Sequence, residues 1–266
     1  INLLNNFHFN KKLNNINLYN GVSIANNFID NKFNHDSTLN KNLDQNSLII
    51  YSDFFYEDFN YFKPRIKLIK PIEINSSNNS INEDSLSISF NYQNQFSENR
   101  FFGNDVFDNT TRATYGIESQ LKMMDKMFDF KINQSYDFNE NSNYANKINQ
   151  NSHFSDYAVE FSTSVNKTNF QVDARLDNTE LEKKEINYSF GFNRSPINFN
   201  MDYHETESDA YENYSNDTKS LNIGISTEIN ENISFSYGTN MDLKNNYDPY
   251  SATLGLKVKD ECSELK

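Results

Sequence analysis

The sequence contains no tryptophan, one cysteine, four prolines and seven glycines in 266 residues. It has no run of 18 apolar residues, so a transmembrane helix is excluded. Lys and Arg number 24 against 37 Asp and Glu, which gives a formal net charge of −13. Binding to nucleic acid requires basic residues that neutralise phosphates, so nucleic acid is excluded as a partner.

Residues with catalytic or metal-binding potential are also scarce. The few glycines form no phosphate-binding loop, and no nucleophile lies in a pattern that pairs it with a base. His8, His35, His153 and His204 are scattered without the spacing of metal ligands. The HETE stretch at 204–207 is interpreted as part of a solvated loop. We therefore predict no enzyme activity, no metal and no cofactor.

Aromatic residues make up 15% of the chain, with 23 Phe and 16 Tyr, although the hydrophobic share is only 36%. Disordered chains are poor in aromatic residues because they bury little apolar surface. Here Phe, Tyr and Ile occur together with many Asn, Ser and Asp, which favours strands with one apolar and one polar face. An Asn-rich low-complexity segment is the alternative.

Strict alternation of apolar and polar residues is the main structural signal. In SLSISFNYQNQF, residues Leu86, Ile88, Phe90, Tyr92 and Phe96 share one parity, and Ser, Asn and Gln occupy the other. This period of two is typical of a strand with two different faces. Ten such strands are predicted, with apolar residues within 86–96, 113–121, 128–138, 157–165, 170–176, 186–192, 197–203, 221–229, 233–241 and 250–258.

The first 84 residues show weaker alternation, at 16–24 and 62–74, and predict about four further strands. Pro64 and Pro71 lack the N–H group that a ladder needs, so their strand should be an edge strand, bulged or distorted. The chain begins at Ile1 without the pattern of a signal peptide. We therefore expect an interior fragment, or a mature segment, of a longer protein.

The predicted connections alternate between short and long. Short ones lie at 122–127, 166–168, 194–196 and 230–232, and longer polar ones at 97–111, 139–156, 177–185, 204–220 and 242–249. Outer-membrane barrels have this pattern, and a sheet in lipid must close because lipid offers no hydrogen-bond partner. We predict an all-β fold: a single domain, 1–266, that forms an incomplete segment of an antiparallel transmembrane β-barrel, with about 12–14 strands of a larger barrel and residues 259–266 at its periplasmic end.

Two stretches resemble the barrel of the LptD family, which assembles lipopolysaccharide in the bacterial outer membrane. The first comprises an N-E-D-S segment, an N-R-F-x-G-x-D element and a Thr-Arg-x-x-Tyr-Gly strand. The second is a D-E-C element near the end of the chain. The matching residues are Asn82, Glu83, Asp84, Ser85, Asn99, Arg100, Phe101, Gly103, Asp105, Thr111, Arg112, Tyr115 and Gly116, followed by Asp260, Glu261 and Cys262. The chain departs from the family pattern at Val106, where a basic residue is common, and at Ser263, where many members have a second cysteine.

The resemblance implies a protein that receives lipopolysaccharide from a periplasmic LptA-like bridge and releases it among the lipids of the outer leaflet. It also implies an LptE-like lipoprotein plug inside the barrel, and a disulfide from Cys262 to a cysteine upstream of Ile1. Long loops would face outwards and short turns would face the periplasm. The family's periplasmic domain and its last strands are missing, so we expect that this fragment alone neither closes nor transports lipid. The alternatives are a diffusion porin or small-solute receptor barrel, and an Asn-rich structural or adhesive protein outside membranes.

Overall fold

The computed structural model describes residues 2–13, 15–29, 43–56, 62–75, 90–100, 108, 110–123, 126–139, 153–207, 217–244, 249–259 and 264–265. These residues form fourteen strands and one short helix, which confirms the prediction of an all-β, antiparallel fold. The strands are β1 (Asn2–Leu13), β2 (Ile16–Ile29), β3 (Leu43–Tyr56), β4 (Phe62–Asn75), β5 (Arg112–Met123), β6 (Lys126–Asp137), β7 (Tyr157–Val165), β8 (Thr168–Leu176), β9 (Lys183–Arg194), β10 (Ile197–Thr206), β11 (Thr218–Asn230), β12 (Ile233–Asp242), β13 (Pro249–Lys259) and β14 (Glu264–Leu265); the helix α1 is Tyr92–Gln95. No helix in this part of the chain is long and apolar enough to cross a membrane.

Neighbours in the sheet follow the order of the chain from β1 to β14. The connections between them keep the alternation that the sequence predicts. One end of the strands has the shorter connections 14–15, 57–61, 124–125, 166–167, 195–196 and 231–232, and the other end has the longer ones 30–42, 76–111, 138–156, 177–182, 207–217 and 243–248. The connection between β13 and β14, 260–263, is again short, so the phase is constant across all thirteen connections. Each strand from β2 to β13 therefore runs between a short-connection end and a long-connection end.

Contacts divide the chain into two compact units. One contains Ile1–Glu118 and Ile132–Asp156, and the other contains Ser119–Lys131 and Tyr157–Lys266. In the first unit, β1 pairs with β2 from Asn2–Asn27 to Leu13–Ile16, and β2, β3 and β4 continue the antiparallel ladder. In the second unit, β7 to β13 pair in succession.

The short turns of the second unit are formed by residues suited to tight reversal. Asn166 has a positive φ of 55°, a conformation that asparagine tolerates better than most residues. The Oδ1 atom of Asn230 accepts hydrogen bonds from the N–H groups of Asn232 (2.9 Å) and Ile233 (2.8 Å). The Asn230 side chain therefore stabilises the reversal between β11 and β12, next to a register shift between Glu228 and Asn230.

Large apolar side chains are exposed on one face of the strands, and polar ones are buried on the other. On β5, Tyr115, Ile117 and Leu121 are exposed, whereas Arg112 and Thr114 are completely buried. On β13, Leu254 is 72% exposed. A protein in water buries its large apolar residues, so this arrangement is the reverse of the usual one. It is the pattern of a sheet with an apolar face towards lipid.

Nine of the ten strands predicted after residue 85 are confirmed, as β5 to β13, with strand ends shifted by a few residues. The tenth, over 86–96, is wrong within the described residues, because Tyr92–Gln95 is helical. Asn91 caps this helix: its side chain accepts from the N–H of Asn94, and the Asn94 side chain accepts from the N–H of Asn91, each at 2.8 Å. This reciprocal cap stabilises a helical turn that apolar periodicity alone does not reveal.

Two further expectations need correction. The HETE stretch is not a loop up to residue 206, because β10 continues to Thr206 and both Glu205 and Thr206 are buried. For the proline-containing strand, β4, the sequence predicted an edge strand, a bulge or a distortion; the edge position is wrong, since β4 lies between β3 and β5, whereas irregular pairing is confirmed. Pro64 is tolerated because it precedes Arg65, the first residue of β4 that is in register with β3. A register shift does occur near the other end of β4, opposite Asn46 and Ser47.

Candidate functional site

Residues 90–100 lie across the buried face of β4, β5 and β6. Five of their backbone carbonyls accept hydrogen bonds from these strands, two of them from Arg112; the other three have separate donors. The donors are the Nδ2 atom of Asn133 to Tyr92 O (2.8 Å), the Oγ1 atom of Thr114 to Gln95 O (3.0 Å) and the Nζ atom of Lys67 to Phe96 O (2.8 Å). We call residues 90–100 the covering segment. It belongs to the connection between β4 and β5, at the long-connection end.

Apolar contacts accompany these hydrogen bonds. Phe90, Tyr92 and Phe96 are all buried, and the rings of Tyr92 and Phe96 lie 5.3 Å apart. One turn of helix places residues four apart on the same face, so α1 turns both rings towards the same side. The covering segment is therefore packed on the sheet and is not an excursion into solvent.

A cluster of four buried charges fixes the end of the covering segment. It consists of Arg100, Asp108, Arg112 and Asp137, and we call it the charge cluster. The Nε atom of Arg100 and the Nη1 atom of Arg112 both lie 2.6 Å from Oδ2 of Asp108. The Nη2 atom of Arg100 also donates to Oδ2 of Asp137 at 3.2 Å. The cluster thus joins the covering segment to the first residue of β5 and the last residue of β6.

The charges in this cluster balance, with two guanidinium groups and two carboxylates. Burial alone would raise the pKa of Asp108, but the positive charges of Arg100 and Arg112 outweigh burial and hold that pKa below its ordinary value. Asp108 is therefore ionised at neutral pH. Arg112 also donates to the carbonyls of Ser97 and Glu98, so the same side chain binds both a charge and the backbone of the covering segment.

A neutral network continues from the charge cluster. Gln95 is completely buried, and its Oε1 atom accepts from the hydroxyls of Ser135 (3.3 Å) and Ser155 (3.4 Å). Its Nε2 atom donates to the carbonyl of Asp156 at 3.2 Å. Gln95 therefore ties the covering segment to β6 and to the residues that precede β7. Through these bonds, the covering segment joins two of the long connections, 76–111 and 138–156.

This site contains several of the residues that carry the family resemblance described above. Arg100 and Arg112 form the charge cluster, and Asn99 accepts from the N–H of Asp108 at 3.0 Å. The N–H of Thr111 donates to Oδ1 of Asn139 at 2.8 Å. Tyr115 lies on the opposite, exposed face, where its hydroxyl donates to Oε1 of Gln134.

Gly116 has a steric explanation. A Cβ atom at this position would lie 2.6 Å from the carbonyl oxygen of Ile132 and 2.7 Å from the Cβ of Asn133. Such distances are not possible without a shift of β6, because one of the two contacts is with the backbone. The glycine therefore lets β5 and β6 lie close together where Asn133 supports the covering segment.

The remaining predicted site residues lie outside the described part of the chain. They are Asn82, Glu83, Asp84, Ser85, Phe101, Gly103, Asp105, Asp260, Glu261 and Cys262. Conversely, sequence reasoning missed Gln95, Asp108, Ser135, Asp137 and Ser155. Asp108 precedes Arg112 by four residues, which is a weak signal for a pair. No local signal identifies Asp137, because its partner lies 37 residues away.

The arrangement of these residues is suited to holding one conformation of the chain. Each charge in the cluster contacts an opposite charge, and the neutral side chains are joined by hydrogen bonds. Within the described ranges, no group of three His, Cys, Asp or Glu side chains could hold a metal ion. The site is therefore best understood as one that positions a segment of chain.

The chain also matches a model of a known protein family. The family described as "LptD: LPS transport system D" matches residues 48–253. This range extends from β3 into β13 and includes the covering segment and the whole charge cluster. Among curated proteins, no sequence matches the chain.

Proposed function

Because the chain belongs to the LptD family of lipopolysaccharide transport proteins, we propose that it forms part of the outer-membrane barrel that assembles lipopolysaccharide into the outer leaflet. The observation that carries the proposal is the reversed distribution of side chains. Ile66, Leu68 and Ile72 of β4 are exposed, whereas Lys67 between them is buried. Apolar residues that alternate in this way suit contact with membrane lipid, and they would be unfavourable on a structural or adhesive protein in water.

In this proposal, the polar face of the strands lines the interior of the barrel. The covering segment lies on that face, and the charge cluster holds it there. Removal of one partner from a buried ion pair is strongly destabilising, whereas the intact pair contributes little net stability. We therefore assign the charge cluster a positioning role: it fixes the path of the chain between β4 and β5, and so limits the interior space beside these strands.

The proposal includes the sidedness of the sheet and its partners. Longer connections face the outside and shorter ones the periplasm, as is usual for such barrels. The remaining polar face would receive an LptE-like plug lipoprotein, and an LptA-like periplasmic bridge would deliver lipopolysaccharide through a domain that precedes this sequence. The apolar face of the strands would contact the lipid of the outer membrane.

In the sequence, Cys262 falls between Lys259, the last residue of β13, and Glu264, the first residue of β14. We propose that it forms a disulfide with a cysteine upstream of Ile1, because an odd cysteine in an exported protein suggests a partner elsewhere. Non-reducing electrophoresis of the full-length protein and of a Cys262→Ser variant tests this. A change of mobility in the variant is expected; an alkylatable Cys262 thiol in the mature protein would contradict the bond.

The function is tested by depletion of the full-length protein in its own cells. Newly made, isotope-labelled lipopolysaccharide should then remain in the inner membrane, and re-expression of the protein should restore its arrival in the outer membrane. A diffusion porin predicts another result, namely slower uptake of small hydrophilic solutes with normal arrival of lipopolysaccharide. Normal arrival in depleted cells would contradict the proposed function.

A further inference from the structure

A cleft of about 430 Å³ lies beside the covering segment, in the unit that contains β1 to β4. Its walls include Tyr19 of β2, Asp53 and Phe55 of β3, Arg65 and Lys67 of β4, and Glu98 of the covering segment. This volume is in the range of about 300–1,000 Å³ that is typical of small-molecule sites. Arg112 of the charge cluster reaches the backbone carbonyl of Glu98, but the charged side chains of the cleft form ion pairs of their own.

One wall of the cleft is aromatic. The rings of Tyr19 and Phe55 stack with their centroids 5.2 Å apart and their planes within 4° of parallel. Tyr51 lies next to them, directly across from Gly21 in the ladder. A Cβ atom on Gly21 would lie 2.2 Å from Cζ of Tyr51, so only glycine leaves room for that ring. These rings give a flat apolar surface, which continues on the same face into the buried side chains of Ile49 and Ile69.

The other wall consists of two ion pairs. Arg65 donates to Asp53 through two nitrogens, from Nε to Oδ1 at 3.0 Å and from Nη2 to Oδ2 at 2.6 Å. Lys67 donates to Oε1 of Glu98 at 2.5 Å and lies 4.5 Å from the centre of the Tyr51 ring. Burial alone would raise the pKa of Glu98, but Lys67 lowers it below its ordinary value, so Glu98 is ionised at neutral pH.

The charges select the class of ligand. An anion in the cleft would meet two carboxylates, and a cation would meet a guanidinium and an ammonium group, so a net charge of either sign is disfavoured. A neutral polyhydroxylated ring suits both walls, because its hydroxyls can donate to carboxylates and accept from Arg65, while its C–H face packs on an aromatic ring. We propose that this cleft binds a sugar ring, and that Tyr19 and Phe55 are its stacking residues. The proposed function supplies the source of the sugar, which is the saccharide part of lipopolysaccharide.

The test uses the full-length protein in detergent micelles and a neutral, lipid-free oligosaccharide, separated by anion exchange from the sugars that acid hydrolysis releases from the lipopolysaccharide of the same cells. Calorimetric titration should show binding by the wild type. Phe55→Leu retains an apolar side chain but removes the ring, and it should weaken binding about tenfold. The matched control is Phe54→Leu, because Phe54 is adjacent in sequence but exposed on the opposite face; this variant should bind as the wild type does.

Tyr19→Leu provides a second variant with the same expected loss, in case Phe55→Leu fails to fold. Inorganic phosphate should not compete with the oligosaccharide, because the two carboxylates oppose an anion. The proposal is overturned if the wild type does not bind, if both ring variants bind normally, or if phosphate competes. If lipopolysaccharide still reaches the outer membrane normally after depletion, the proposed function is contradicted. If its arrival depends on the protein but both ring variants bind the oligosaccharide as the wild type does, only the sugar-binding role of the cleft is contradicted.

Discussion

The Nε atom of Arg100 lies 2.6 Å from Oδ2 of Asp108, and neither side chain is exposed. Because Asp108 also binds Arg112, removal of its carboxylate leaves two guanidinium groups short of an acceptor. We expect Asp108→Ala to lower the free energy of unfolding by about 3–5 kcal/mol. Urea titration of the protein in lipid vesicles measures this change.

The matched control for this variant is Asp177→Ala. Asp177 lies after β8, where it accepts from the N–H groups of Thr179 and Glu180, each within 2.9 Å. It is far more exposed than Asp108, and its loss should change stability much less. A similar effect of both substitutions would contradict the special role of the charge cluster.

The pH dependence of stability provides a further prediction. Because the pKa of Asp108 is lower in the folded protein than its ordinary value of 3.8, its contribution is complete above that value. The contribution is lost as the pH falls through the folded pKa. The difference in unfolding free energy between the wild type and Asp108→Asn should therefore be constant from about pH 7 to pH 5 and shrink below about pH 4. If the difference in unfolding free energy already shrinks between pH 7 and pH 5, a group other than Asp108 controls this pH dependence.

The two faces of β9 should respond differently to a positive charge. Phe190 has the parity that we assign to lipid, and Ser189 has the polar parity, where it is paired across the ladder with Asp202. Phe190→Arg should impair assembly, since a cation near the middle of the bilayer costs about 2–4 kcal/mol. Ser189→Arg should be tolerated better because Asp202 is adjacent. Heat-modifiable migration in gels reports the folded fraction. Equal assembly of the two variants would contradict the assignment of the Phe190 face to lipid and the Ser189 face to the interior.

The sidedness of the connections can be tested with single introduced cysteines in full-length protein whose own cysteines, Cys262 included, have been replaced by serine. Glu180 lies in a long connection and Lys167 in a short one, and both are exposed. A maleimide on a large polyethylene glycol cannot cross the outer membrane of intact cells. It should label a cysteine at position 180 but not at 167 until the membrane is permeabilised. Labelling at position 167 but not at 180 in intact cells would contradict the proposed orientation.

The strands could be predicted because their signal is local. Along β10, Ile197, Phe199 and Met201 alternate with Asn198 and Asn200, and this pattern is sufficient to assign both the strand and its faces. The short turns are equally local, as the bonds made by Asn230 illustrate. A sheet in lipid keeps this alternation over its whole length, so the number and phase of most strands followed from the sequence.

The covering segment could not be predicted in the same way. Phe90, Tyr92 and Phe96 fit a strand by parity, but the reciprocal cap between Asn91 and Asn94 stabilises a helical turn instead. Similarly, the partners of Arg100 depend on how distant strands meet, since Asp137 is 37 residues away. The resemblance to a family indicated that Arg100 and Arg112 matter, and only the fold explains their shared contact with Asp108.

The central claim, that the apolar parity faces lipid, is tested most directly by spin labels along β10. Single nitroxide-labelled cysteines from Ile197 to Tyr203 would be measured in bilayers for collision with oxygen, which concentrates in lipid, and with a water-soluble nickel chelate. Odd-numbered positions, such as Phe199 and Met201, should favour oxygen, and even-numbered ones, such as Asn200, should favour the chelate. The same preference at odd and even positions, or the opposite phase, would contradict the account.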